Sequence, residues 1–380
     1  MIRQRQRGVQ IKPHEWDRIS PRSLAIAPTC GTHNREIGTT KQRERSVERA
    51  IDTGYGWTKF TTGHARRSNE GIAVDVEAFQ SVPMVVKGES IDLPASGETA
   101  GSSILVRLNG TAYRVSDQPT YSKDVIRIRG DGYTQSEPYA VCMAAAVKAM
   151  GLERLDHLVV GTPVGNYESA KASLKAKFGE GIDVDGRIIE VKHLHVVAQP
   201  IGGLVWHYYA NSRQSDLSRH PRVLVDVGHG TLDWVAVQGL KTNLDRCGSV
   251  TYGVSRFIDR VTQAIKGSGQ GIEDAWFSDT VDQMLMQNRP LIYRGQEHRR
   301  ENFESLIEQI ASEGVQHIMA SLGDVGMFQS VVLMGGGGRL YQRALATAFK
   351  PIPIEEVAAA RFANVRGFQL LAERQARMKS

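Results

Sequence analysis

The chain has 380 residues, 41% of them hydrophobic, which is enough apolar material for one large domain or two of ordinary size. No run approaches the roughly 18 apolar residues of a membrane span, and the Arg-rich start lacks the apolar segment of a secretory signal, so a soluble, cytoplasmic protein is expected. The formal net charge is +6, but residues 1–50 hold 11 Lys and Arg against 5 Asp and Glu, so the whole excess sits there and the body is balanced.

In chain order, residues 1–49 are rich in Arg, Thr, Ser and Gln without sustained apolar periodicity, which predicts a poorly ordered basic arm. Arg49-Ala50-Ile51-Asp52 is the first predicted strand. It enters the turn Thr53-Gly54-Tyr55-Gly56 and returns through Trp57-Thr58-Lys59-Phe60. From about 71 to 136, short apolar runs mixed with Gly, Ser and Pro predict a β-rich insertion. Pro138–Val147, Ala-rich with a proline in its first turn, predicts a helix. A buried strand at Leu155–Val160 and a helix at Tyr167–Phe178 follow. Next comes a hairpin, Ile182–Val191, turning at Asp185-Gly186. The strand Val191–Val197 ends in Ala198-Gln199-Pro200-Ile201-Gly202-Gly203, ahead of a helix at Leu204–Asn211.

The pattern then repeats. Val223-Leu224-Val225-Asp226 enters Val227-Gly228-His229-Gly230 and returns through Leu232–Val237, so Asp-x-Gly-x-Gly stands once in each half. Residues from about 257 to 327 predict a helical insertion, with Leu306, Ile307, Ile310, Val315, Ile318, Met319 and Leu322 at near-helical spacing. A strand at Ser330–Met334 runs into Gly335-Gly336-Gly337-Gly338 and a helix at Leu340–Phe349. The last helix covers about Phe362–Met378. The expected fold is a duplicated two-domain α/β protein. Domain I covers 50–220, with residues 355–380 packing back on it, and domain II covers 221–354.

An Asp-x-Gly-x-Gly hairpin suits nucleotide phosphates, because glycine lets the backbone turn tightly and present its N–H groups to an anion. Its Asp repels phosphate but can hold Mg²⁺ through water, so Asp52 and Asp226 could flank one ion. Taken singly, each hairpin also reads as an ordinary turn. The glycine run before a helix can set backbone against a nucleoside, and Gln199 is a neutral amide able to orient an attacking water. His193 and His195 alternate on one predicted strand without an evident third ligand, so an ordinary strand is expected and no zinc. The isolated cysteines, Cys30, Cys142 and Cys247, suggest neither a disulfide framework nor a metal site.

In this order, the elements resemble the superfamily of actin, DnaK-type chaperones and sugar kinases, over about residues 50 to 375. Ile51–Phe60 and Val223–Val237 look like its two phosphate motifs, Ala198–Gly203 and Phe362–Leu371 like its connecting motifs, and Val331–Tyr341 like its adenosine motif. Asp52 to Lys59, Gly161-Thr162-Pro163 and Gln199-Pro200 look most like the ParM/StbA plasmid-partition group. The resemblance implies a ribonuclease H-like fold duplicated around a nucleotide cleft, ATP and Mg²⁺ as ligands, ATP hydrolysis, and filaments that segregate plasmid DNA. Asp52 and Asp226 would organise hydrated Mg²⁺, with Asp226 and Gln199 catalytic and Gln199 placing the lytic water. Gly54, Tyr55, Gly56, Lys59, Gly228, His229, Gly230, Thr231 and Asp233 would surround the phosphates, and Gly335, Gly336, Gly337 and Gly338 the adenosine. The implied partners are further copies of the chain and an adaptor protein on centromere-like plasmid DNA, with no membrane. Non-specific DNA contact by the arm stays open, as does an early-assigned start codon. Two alternatives are a small-molecule kinase of the same superfamily and a non-polymerising nucleotide-dependent scaffold.

Overall fold

Two sheets carry the same strand plan. The structure is a computed structural model that describes residues 46–69, 71–87, 103–117, 126, 130, 132–210, 220–239, 241–267 and 275–379. Residues 1–45 of the predicted arm, with Cys30, lie outside these. The first half runs β1 (Glu48–Thr53), β2 (Trp57–Thr61), β3 (Arg66–Ser68), β4 (Gly71–Ala73), β5 (Val76–Gln80), β6 (Met84–Val85), β7 (Ser103–Leu108), β8 (Thr111–Ser116), α1 (Glu137–Met150), β9 (Arg154–Thr162), α2 (Tyr167–Phe178), β10 (Gly181–Val184), β11 (Arg187–Ala198) and α3 (Gln199–Ala210). The second runs β12 (Pro221–Val227), β13 (Leu232–Gln238), β14 (Lys241–Val250), α4 (Val254–Lys266), α5 (Ala275–Gln287), β15 (Leu291–Tyr293), β16 (Gln296–His298), α6 (Glu304–Leu322), β17 (Ser330–Met334), α7 (Gly338–Ala348), β18 (Ile354–Glu356) and α8 (Ala363–Lys379).

The first sheet is ordered β10-β11-β9-β1-β2-β5 and the second β14-β13-β12-β17-β18. In each, an antiparallel hairpin (β1–β2, β12–β13) is extended on one side by an antiparallel strand (β5, β14). On the other side stand two parallel strands (β9 and β11, β17 and β18). Parallel neighbours need helical crossovers, and the sequence supplies them: α1 and α2 in the first half, α4 to α6 and then α7 in the second. The final strand of each half leads into a connecting helix, α3 or α8. Among the described strands of these two sheets, only β10 has no counterpart.

Local chemistry accounts for these elements. The Ser136 hydroxyl caps α1 by accepting from the Tyr139 N–H, Pro138 fits its first turn, and Gly151 ends it at φ 64°. The central strands are apolar runs because both faces are covered: Val223, Leu224 and Val225 are fully buried. One core lies between the first sheet and α1–α2, a second between the other sheet and α4–α7, and a third around α3 and α8 between the sheets. In this last core the Phe368 ring fills space left by Gly161 and Gly202, and truncating it to Ala costs about 3–5 kcal/mol.

Several boundaries differ from the sequence reading. Glu48, assigned to the arm, is buried in β1 ahead of Arg49, where the predicted strand starts, and Val47 N–H donates to Asp156 at 2.8 Å. The pairing of β1 with β9 carries the fold further upstream than apolar periodicity alone could show. Of the insertion over 71–136, β5 belongs to the first sheet, and β6–β8 form a sheet of their own. The helices of 257–327 are no separate unit either: Phe257, Val281 and Ile310 share the core of the second sheet. Among the described residues no helix is long and apolar enough to cross a membrane.

Candidate functional site

The two Asp-Gly hairpins and the glycine run meet at one cavity of about 240 Å³ between the sheets. Asp52 and Asp226, each buried near the end of a central strand, both line it. Lys59, Gln199, Gly54, Tyr55, Gly56, Gly228, His229, Gly230, Thr231, Asp233, Gly335, Gly336 and Gly337 complete the expected set. Gly338 does not line the cavity. It opens α7 and faces Leu333, so the run of four divides into three cavity residues and one helix start.

The hairpins close alike: Gly54 N–H donates to Trp57 O at 3.1 Å and Gly228 N–H to Thr231 O at 2.9 Å. They also interlock. A methyl on Gly56 would stand 2.6 Å from the His229 ring, and one on Gly230 would stand 2.5 Å from the Tyr55 ring. Each hairpin therefore seats its middle side chain on the other's last glycine. Gly335, at φ 85°, adopts a conformation that glycine alone takes without strain, and any Cβ there would fall on Asp226 Oδ1 and Val227 O.

Charges are disposed unequally. Lys59 Nζ lies 2.9 Å from Asp52 Oδ2, and Gln199 Nε2 donates to Asp52 Oδ1 at 2.7 Å. Asp226 accepts from Asn364 Nδ2 at 2.7 Å. Burial pushes the Asp226 carboxyl up to about 7; Asn364 works against this, while Asp233 and Asp52 add to it. Asp233 is likewise raised by burial. It is held by the Thr231 hydroxyl at 2.6 Å and Val164 N–H at 3.2 Å, a structural setting within the site. The donor set suits a hard cation such as Mg²⁺: two carboxylates line one cavity, and both Asp52 oxygens already carry hydrogen bonds, which favours contact through water.

Gln199 does not end a strand. Helix α3 begins at Gln199 itself, since Pro200 is well tolerated in a first turn, and this start points the amide at Asp52. The histidine pair also acquires a third member. His157 on β9 is the register partner of His193, and its Nδ1 lies 3.0 Å from His195 Nε2. Burial pushes the Cys142 thiol up to about 12 and Cys247 up to about 11, which keeps both as unreactive thiols at neutral pH.

Residues 50–202 match the N-terminal domain of actin-like proteins, and residues 224–347 match the C-terminal domain of archaeal MreB-like actin homologues. The chain is an actin-like protein. No curated protein matches it in sequence. Among solved structures it is similar to the archaeal actin homologue Ta0583 in complex with ADP, at 20% identity and a TM-score of 0.64, covering 86% of this chain and 99% of that one. It is similar to ParM in a 15-stranded filament from Clostridium botulinum, at 17% identity and a TM-score of 0.64, covering 86% and 99%. It also resembles the pSK41 ParM protein without nucleotide, at 17% identity and a TM-score of 0.56, covering 88% and 99%. At these identities the likeness speaks for the actin-like fold.

Sequence reading of this actin-like chain missed much of the cavity wall beside the glycine run. Trp57, Asp282, Met286, Gln287, Arg361 and Asn364 all line it. The Arg361 guanidinium lies 4.1 Å from the Trp57 ring centre, bridging β2 and the segment before α8. Asp282, Met286 and Gln287 all lie on α5, whose spacing reads as an ordinary helix, and no pattern along the chain ties that helix or Arg361 to the hairpins. Two of them had a signal: Trp57 lies inside the Ile51–Phe60 stretch read as a phosphate motif, and Asn364 inside the Phe362–Leu371 stretch read as a connecting motif.

Proposed function

We propose that this actin-like protein binds ATP with Mg²⁺ in the cavity, hydrolyses it, and uses the cycle to switch head-to-tail filament assembly in the cytoplasm, moving plasmid DNA. The observation that carries this reading is the convergence of two Asp-ended glycine hairpins and a glycine run on one cavity between duplicated sheets. The ADP bound to Ta0583 and the filament of Clostridium botulinum ParM support it. A heterologous self-contact that does not close produces filaments, and a ligand touching both halves can bias the geometry in which subunits fit. An adaptor on centromere-like DNA completes the partition role, and the basic arm adds salt-sensitive, sequence-independent phosphate contact.

Each residue has a definable task. The hairpin backbones hold the phosphates, with Lys59 beside them, and Gly335 leaves room for backbone to approach Asp226. Asp52 and Asp226 would hold Mg²⁺ through water. When bound, the ion neutralises charge on the phosphoryl oxygens. Gln199 gives its N–H to Asp52, so its Oε1 is the atom that accepts from the attacking water and orients it.

Sedimentation with ATP, ADP and no nucleotide, read together with phosphate release, tests the proposal. Pelleting that depends on ATP and reverses as phosphate is released is expected. Identical pelleting in all three conditions without phosphate release would overturn it.

A further inference from the structure

Each strand-end carboxylate is met by a side-chain amide from the first turn of a connecting helix. In the first half Gln199, which opens α3, donates to Asp52 Oδ1 at 2.7 Å. In the second, Asn364, the second residue of α8, donates to Asp226 Oδ2 at 2.7 Å. The duplication of the sheets thus extends to the amide that holds each carboxylate. On the other face of Asn364, its Oδ1 accepts the Gly203 N–H of α3 at 3.1 Å. An N–H can only meet the oxygen end, so the NH₂ end is fixed toward Asp226.

One buried side chain therefore joins α3, α8 and β12. The two helices cross with almost no clearance: a methyl on Gly202 would strike the Asn364 carbonyl, and one on Gly367 would strike the Gly202 carbonyl. At such an approach α3 cannot turn against α8 without carrying Asn364 along, and Asn364 carries the carboxylate it holds.

We propose that Asn364 is a positioning residue, the second-half counterpart of Gln199, which aims the Asp226 carboxylate into the cavity and ties it to the α3–α8 crossing. The proposal rests on the reading that the cavity takes Mg²⁺ with a nucleotide. It differs from a purely structural amide in one respect: it makes the cation requirement depend on residue 364.

The test uses the full chain with ADP as probe. Asn364→Asp keeps the oxygen facing Gly203 and replaces only the donor facing Asp226. Titration calorimetry of ADP across a Mg²⁺ series is expected to show a roughly tenfold higher Mg²⁺ concentration at half-maximal binding, the range found when a group supporting a metal ligand is lost. In the double variant Asp226→Asn with Asn364→Asp, donor and acceptor exchange places. The melting temperature without nucleotide then returns toward wild type while the Mg²⁺ requirement does not. A Mg²⁺ requirement within about twofold of wild type in Asn364→Asp, with only its melting temperature lowered, overturns the proposal. Should that variant not fold, Asn364→Ala decides in two backgrounds. An ADP affinity loss confined to the background with Asp226 supports the coupling, and an equal loss beside Asp226→Asn overturns it. A wild-type chain that binds no ADP at any Mg²⁺ concentration refutes the nucleotide reading itself.

Discussion

Across the first hairpin Asp52 is the register partner of Lys59, whereas at the equivalent place in the second Asp226 is the partner of Asp233. The backbones close alike, yet one carboxylate faces a cation and the other faces a second acid. Asp52 lies in an ion pair 2.9 Å long. Asp226 accepts from the Asn364 amide and is pushed up to about 7 by burial and its acidic neighbours, with Lys59 acting more weakly against them. Duplication preserved the geometry while leaving the second half short of positive charge, so the second half has more to gain from a bound cation.

The strongest way to break this comparison is Asp226→Ala, which is expected to bring Mg²⁺-dependent phosphate release down to the buffer background in a chain whose circular dichroism is unchanged. Turnover equal to wild type would remove Asp226 from the site. Next comes Gln199→Ala: ADP binding persists and hydrolysis slows by roughly 10²-fold, the lower range for a positioned water-orienting group. Loss of ADP binding with unchanged turnover per bound ATP would instead make Gln199 a support for Asp52 alone.

Lys59→Met makes the first half resemble the second. Its ADP affinity is expected to fall about tenfold, equivalent to about 1.4 kcal/mol, as measured by calorimetry. An unchanged affinity would confine Lys59 to holding Asp52.

The smallest effect concerns the chain without nucleotide. The folded Asp226 group titrates above its ordinary carboxylate value, so the folded state binds the proton more tightly than the unfolded state. Its contribution to stability is therefore fully present below about pH 4, lost as pH rises toward about 7, and flat beyond. Asp226→Asn removes that loss. Its melting temperature should exceed wild type by several degrees at pH 8 and match it near pH 4, and equal melting at both pH values would show that Asp226 is not strained by burial.

Much was legible before the structure. The two hairpins, the strand Ser330–Met334 and the helix Tyr167–Phe178 stand where periodicity and glycine placed them, because these are local signals carried by a few adjacent residues. The first residue of β1 was not legible: Glu48 is polar, and it is held by pairing with β9 and by Gln369 of α8, which donates to its carbonyl.

The sequence by itself determined the repeated Asp-x-Gly-x-Gly device and the order of elements that makes this an actin-like chain, since both are patterns along the backbone. Tertiary structure decided which groups answer each carboxylate. Lys59 lies seven residues from Asp52, Gln199 lies 147 away, and Asn364 lies 138 from Asp226. Lys59 meets Asp52 through the hairpin register, but the two amide hydrogen bonds depend on how α3 and α8 cross between the sheets, and that crossing is set by close packing at Gly202, Gly203 and Gly367, which leaves no periodic trace in the chain.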